Sequence, residues 1–280
     1  MEQPQFIPEP ELEFRYGQRA VDPRVGLALF GPYDADSAGH VRSIPYGLIG
    51  TSEGVQKFLQ FAQLLQGPVL SSTKSSSTRL WPAFPGFDAA FACALPERPA
   101  RTEELHTSEV DAAVQHEDPN QRAYDVVELY LSAIARLVAR EEQLSTIICT
   151  VPEVVYKNCR PKSYVHSGVG EALPSPQRVA RARGIRDITN LERPNTIYRF
   201  SPDFRRQIKA RAMQFEPPIQ IIRETTLRPT DERKFGERLL SPLSDRAWNL
   251  GTALYYKGGG RPWRLATARD GVCYVGVVFH

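Results

Sequence analysis

Four side chains in the second half of the chain have the charge and donors to hold an anion. In "SPDFRRQIKARAMQF", Arg205 and Lys209 are four residues apart, so a helix projects them the same way, beside a buried stripe of Phe204, Ile208 and Ala212. Ser201 reads as the cap and Pro202 as the first helical residue, which places Arg205 in the first turn. Unpaired backbone N–H groups and the helix dipole favour an anion there, so a cation is out of place unless an anionic ligand joins both. Gln220 interrupts the apolar strand "PIQIIR" with an amide that needs a partner if buried. Lys257 ends "WNLGTALYYK" on the helical face of Leu250, Ala253 and Leu254, and three glycines follow. Alone, Lys257 is a dipole-friendly lysine before a C-cap at Gly258; with Arg205, Lys209 and Gln220 it becomes one corner of a phosphate site.

Other chemistries lack support. Neither "GTSEGVQK" nor "KGGGRPW" fits G-x-x-x-x-G-K-[ST], and no G-x-G-x-x-G follows a strand, which argues against mononucleotide and dinucleotide pockets. Cys93, Cys149, Cys159 and Cys273 form no C-x-x-C pair and have no complementary histidine cluster, so no metal site is expected and they read as core thiols in a reducing compartment. His40, His106, His116, His166 and His280 fall in loops, in polar stretches or at the chain end, with no nucleophile paired to a base.

The elements that must position these residues alternate between strand and helix. After an acidic, Pro-rich arm, "RVGLALFGPYD" reads as a strand and turn. "YGLIGTSEGVQKFLQFAQLLQ" reads as a strand, a turn capped by Thr51 or Ser52, and a helix. A Ser/Thr-rich loop ends at the Pro-bracketed aromatics Trp81, Phe84 and Phe87, and the acidic residues 96 to 121 read as a linker or excursion. "AYDVVELYLSAIARLVARE" is a core helix with a wide apolar stripe, and "STIICTVP" a central strand buried on both faces. Residues 157 to 197 are irregular and basic, with a short amphipathic helix in "RVARARGIRDITN". "PPIQIIRETTL" reads as another central strand, "SDRAWNLGTALYYK" as the final helix, and "WRLATARDGVCYVGVVFH" as two strands about a turn at Arg269 to Gly271. This alternation argues for an α/β fold, a Rossmann-like parallel sheet flanked by helices, with ligands at the carboxyl ends of its strands.

At 280 residues and 41% hydrophobic, the chain can bury a sizeable core. Its net charge of +3 conceals an asymmetry: residues 156 to 264 hold 22 Lys/Arg against 10 Asp/Glu, and the rest is net acidic. A basic half joined to an acidic one suggests a polyanion on one face and another partner elsewhere. The chain has no secretory signal pattern and no apolar run near the ~18 residues of a membrane span, so no membrane partner and a cytoplasmic location are expected.

"DFRRQIKARAM…PPIQIIRETTL", followed by "WNLGTALYYKGGGRPWRLA…GVCYVGVVF", resembles the junction of the MID and PIWI domains in prokaryotic Argonautes, above all the short ones, and "GLALFGPYD" and "FPGF" resemble their upstream part. The resemblance spans roughly residues 13 to 280. It implies an N-terminal arm over 1–20, a Rossmann-like MID region over 21–262 that anchors the 5′-phosphate of a guide strand, and the first strands of an RNase H-like PIWI domain over 263–280. The phosphate-binding residues it implies are Arg205, in a place often held by an aromatic or His, then Lys209, Gln220 and Lys257. Tyr198 or Phe204 is a candidate base-stacking face, with a core role as the plainer alternative. The place of the first metal-binding Asp of slicing relatives is held by Val278, so no catalytic residue and no nuclease activity are expected, and two-metal hydrolysis needs carboxylates that are missing there. Also implied are an RNA (or DNA) guide, a complementary DNA target, room for Mg2+ at the guide 5′-phosphate, an effector subunit with a TIR or Sir2-like NADase and an APAZ region, and a role in anti-plasmid or anti-phage defence. A protein of this kind would continue for a few hundred residues, so the chain reads as a piece of a longer one. Two rivals stand beside this reading: a Rossmann-like enzyme or binding protein for a phosphorylated small molecule, and an interaction scaffold with a solvated basic face.

Overall fold

The computed structural model describes residues 8–71, 81–140, 143–161, 163, 165, 196–232, 235–236, 238–269 and 271. The helix expected in "RVARARGIRDITN", most of the Ser/Thr-rich loop, and the strand expected from Val272 to Phe279, with Val278 and His280, lie outside the described residues. The chain forms two compact units, one of Ile44–Leu64 with Leu95–Ser241, the other of Met1–Ser43, Leu65–Ala94 and Pro242–His280.

The first unit is a parallel α/β layer. β3 (Tyr46–Gly50), β4 (Arg101–Glu104), β5 (Thr146–Val151) and β6 (Ile219–Arg223) form a parallel sheet in the order β4-β3-β5-β6. The central strands β3 and β5 are buried at every residue, as their unbroken apolar runs require. β6 is an edge strand rather than the central one its apolar run suggests, and four of its five residues are only half-buried. The acidic stretch 96–121 is not a linker: it supplies the edge strand β4 and the helix α4 (Thr107–Val114), whose Val110 and Val114 are buried. α5 (Pro119–Val138) starts at the cap Asp118, which accepts from the Asn120 N–H at 2.8 Å, and lays Ala123, Val126, Val127, Tyr130 and Ile134 into the core. Phe204, Ile208 and Ala212 of α7 (Phe204–Ala212) join that core, and Ile219 and Ile221 of β6 pack against it.

α2 (Ser52–Leu65) begins at Thr51, whose Oγ1 accepts from the Gly54 N–H at 3.3 Å. Its Phe58 meets the Tyr46 ring edge-on at 5.6 Å. Gly54 has no room for a side chain, since a Cβ would lie 2.4 Å from Thr150 Oγ1 and 2.7 Å from Glu224 Oε1. α6 (Glu153–Asn158) follows β5 and is tied in by Arg122, wholly buried, whose guanidinium donates to the carbonyls of His116, Glu117, Asn158 and Ser163 at 2.6–3.0 Å.

The second unit is built on aromatic packing. β1 (Leu12–Glu13) pairs antiparallel with both β2 (Arg19–Ala20) and β7 (Arg264–Leu265), so part of the N-terminal arm is sheet. "RVGLALF" lies in a helix, α1 (Pro23–Phe30), not in the expected strand, because Asp22 caps it through the Arg24 and Val25 N–H groups and Pro23 pre-sets its first turn. α3 (Phe87–Phe91) and α8 (Leu243–Lys257) enclose Phe84, Phe87, Phe91, Trp248 and Tyr255, and the Phe91 and Tyr255 rings stack at 4.9 Å. Burial of each such side chain stabilises by roughly 1.5–3 kcal/mol. Asp34 accepts from the Tyr255 hydroxyl and from the Arg261 N–H, and His40 is buried between Tyr255 and the Ala92 carbonyl.

Among the described residues no helix is long and apolar enough to cross a membrane, and no three His, Cys, Asp or Glu side chains are placed to hold a metal ion. Cys93, Cys149 and Cys159 are buried free thiols, and burial pushes those of Cys93 and Cys159 up to about 12; Cys273 lies outside the described residues.

Candidate functional site

α7 positions two of the four anion-binding candidates. Its cap is Asp203 rather than Ser201: the Asp203 carboxylate accepts from the Arg206 N–H at 2.9 Å, and Ser201 Oγ accepts from the Asp203 N–H at 3.2 Å. Arg205 still falls in the first turn, but the terminus is less open than the sequence suggests. The Phe204 N–H donates to the Cys159 carbonyl at 3.0 Å and the Gln207 N–H to the Asp203 carbonyl at 2.9 Å, which leaves the Arg205 N–H alone in that turn for a ligand. An anion here would therefore rest on side chains more than on backbone. With Phe204, Ile208 and Ala212 turned into the core, Arg205 and Lys209 stand exposed one turn apart, and neither has a partner among the described residues. Four other cations of the unit are paired with carboxylates: Arg211 with Glu128, Arg136 with Glu103, Arg223 with Glu153 and Lys57 with Glu53.

Gln220 lies elsewhere. It pairs in register with Ile148 inside the sheet; its neighbours Ile219 and Ile221 face the core that α7 covers, so alternation turns Gln220 to the other face, where its amide donates to the Ile221 carbonyl at 3.2 Å. Lys257 belongs to the second unit, half-buried at the end of α8. The structure thus brings Arg205 and Lys209 together in the parallel α/β unit, and puts Gln220 on another face and Lys257 in another unit.

The glycines after Lys257 form the helix exit. The Gly259 N–H donates to the Tyr256 carbonyl at 3.1 Å and the Gly260 N–H to the Tyr255 carbonyl at 3.0 Å, with Gly258 as C-cap and Gly259 at φ +98°, a left-handed backbone that glycine accepts freely. A Cβ on Gly260 would lie 2.3 Å from the Tyr255 ring, so that glycine is required by packing.

Just before the Asp203 cap, Tyr198 to Pro202 line an opening of about 610 Å³. Neither stacking candidate is free to serve it with a ring face. Tyr198 is buried and donates its hydroxyl to Asp118, and Phe204 is buried edge-on against Tyr130 at 5.3 Å. Both take the plainer, core role.

At the carboxyl ends of the strands, where sequence reasoning places ligands, the protein fills the space with its own groups. Glu224, just past β6, is buried, accepts from Thr51 Oγ1 at 3.1 Å and faces Lys57 Nζ at 3.5 Å. Burial raises its carboxyl above the ordinary range, although Lys57 and Thr51 pull the other way. Burial opposes the charge on Lys57 as well, yet the neighbouring carboxylates outweigh it and raise the ammonium; with Glu224 the more deeply buried of the two, the proton stays on the lysine and the strain falls on the carboxylate. Arg223 donates from Nη2 to both Glu153 oxygens at 2.6 Å, and its guanidinium lies 3.3 Å over the Tyr156 ring. None of these pairs is legible in the sequence, where Thr51 and Glu224 are 173 positions apart.

No family model matches the chain, and no curated protein matches it. Among solved structures it is similar to one described as "Crystal structure of Aa-Ago with externally-bound siRNA", at 12% identity and a TM-score of 0.42, over 92% of this chain and 24% of that one. The chain thus spans about a quarter of the length of that relative.

Proposed function

We propose that the chain is the guide-binding region of a short Argonaute-like protein, a MID-like module that holds the 5′-phosphate of a guide nucleic acid and does not cut the target. The observation that carries the reading is the pair Arg205 and Lys209, exposed one turn apart at the start of α7 without a carboxylate partner among the described residues. Two cations so placed can share one phosphate, Arg205 by its planar fork and Lys209 as a point charge. Affinity then comes mainly from backbone charge, with little reading of base sequence by protein. Gln220, on the other face of the sheet, and Lys257, in the other unit, are not counted in this pair. The guide is RNA, or DNA, and its complement the target; the partner is an effector of the TIR or Sir2-like kind with an APAZ region, in anti-plasmid or anti-phage defence; the setting is the cytoplasm.

Mg2+ at the guide phosphate does not fit this pair: Arg205 and Lys209 supply cations but no carboxylate, so no step runs through a divalent ion. The test is competition between 5′-phosphorylated and 5′-hydroxyl oligonucleotides of one sequence. A preference for the phosphorylated strand that disappears in Arg205→Ala/Lys209→Ala supports the reading, and equal binding of the two strands defeats it.

A further inference from the structure

The second unit contains a cavity of about 680 Å³ that the guide-binding reading leaves unused, and a volume of this size suits a small ligand. Tyr33, Tyr256 and Trp263 bring aromatic rings to it, and Arg24, Arg261 and Arg264 bring cations. Two of those cations have carboxylate partners in the same unit: Arg24 with Asp245, and Arg264 with Glu13 at 3.0 Å. Arg264 also lies 4.8 Å over the Tyr33 ring. Arg261 differs. Its backbone N–H is held by Asp34, which fixes where the residue stands, but its exposed guanidinium has no partner among the described residues. The neighbouring acids Asp245, Glu13 and Asp34 are all engaged. The lining therefore presents aromatic faces and one uncompensated positive charge.

We propose that this cavity binds a nucleoside monophosphate group, its base against the aromatic side chains and its phosphate on Arg261, either as a free nucleotide or as one unit of a single strand. A base offers a π-face that any aromatic ring can stack on, and a guanidinium pairs with phosphate through its planar fork. An uncharged aromatic side chain of a protein partner would use the rings but leave Arg261 without a role. The site shares no residue with Arg205 and Lys209, so it stands or falls separately from the guide-binding reading.

The test is calorimetric titration of the whole chain with AMP, adenosine, inorganic phosphate, N-acetyl-tryptophanamide and a 5′-hydroxyl trinucleotide. AMP should bind at least tenfold more tightly than adenosine or phosphate, and Arg261→Gln should reduce AMP to the level of adenosine. Thr252→Trp, which fills the cavity from its α8 wall, should abolish binding without disturbing the Arg261 side chain. Binding of the trinucleotide with the same dependence on Arg261 identifies a strand as the source; binding of AMP alone identifies the free nucleotide. The titrations are made on the Arg205→Ala/Lys209→Ala chain, so that AMP, itself a 5′-phosphorylated nucleoside, reads this cavity and not the guide-phosphate site. The proposal is overturned if AMP binds no better than adenosine, if Arg261→Gln and Thr252→Trp leave AMP affinity as it was, or if N-acetyl-tryptophanamide binds more tightly than AMP.

Discussion

Lys209→Ala should reduce the affinity for a 5′-phosphorylated oligonucleotide about tenfold at 0.15 M salt and leave that for its 5′-hydroxyl twin unchanged. The magnitude follows from where Lys209 stands. A unit charge 4 Å from a phosphate oxygen gains ~1 kcal/mol in bulk water and ~4 kcal/mol at the effective dielectric of a protein surface. Lys209 is exposed, and ions screen beyond ~8 Å at physiological strength, so the lower part of that range applies. A loss of ~1.4 kcal/mol is one factor of ten. Arg205→Ala should cost at least as much, since it removes a fork that can bind two oxygens, and the double variant should lose less than the product of the two because both grip one group. Each lost contact should also flatten the slope of log affinity against log salt by about 0.7 on a single strand. Fluorescence anisotropy of labelled strands across a salt series reads both quantities. Arg136→Ala removes a cation of the same unit that is paired with Glu103 and should change neither. The reasoning fails if Lys209→Ala weakens the phosphorylated and hydroxyl strands equally, because the lysine would then be part of a general basic surface.

Three further outcomes test the fold around the site. Gly54→Ala should destabilise by ~1–3 kcal/mol in denaturant melts, because the clash with Thr150 Oγ1 and Glu224 Oε1 outweighs the ~1 kcal/mol that alanine gains over glycine inside a helix; a stabilised variant would contradict the packing. Glu224 has a folded-state pKa above its unfolded value, so its contribution is fully present below the ordinary carboxylate range and is lost as pH rises through the raised value; the stability of the native chain relative to Glu224→Gln should fall across that interval, and a flat difference would refute it. Arg122→Met should cost more than ~3 kcal/mol by the same melts, since it leaves four part-buried carbonyls without their donor, and a variant as stable as the parent would show that water replaces the guanidinium.

What could be read in advance follows the range of the interactions. β3, α2, α5, β5 and α8 were legible because an apolar period and a nearby cap or breaker agree along the chain. α1 was not: "LALF" has the look of a buried strand, whereas the cap and first-turn residues that make it a helix, Asp22 and Pro23, lie ahead of that run. β4 and α4 were hidden by their acidity, since only one face of each is buried and Val110 and Val114 are few among charges. Arg205 and Lys209 were legible from a four-residue spacing, a local property of the helix. The face that Gln220 occupies depends on the register of β6 against β5, and the burial of Glu224 on a partner in α2's cap, neither of which is local.

The exit from α8 has a mechanical meaning. With Gly259 in a left-handed turn and Gly260 flush against the Tyr255 ring, the direction in which the chain leaves the helix is set by a ring that Asp34 also holds, so the turn works as an indexed joint with one stop. The orientation of Arg261 is thereby geared to Tyr255: a side chain forced in at Gly260 would rotate the arginine away along with the ring, and loosening Tyr255 would unsettle the turn without any change in its own sequence.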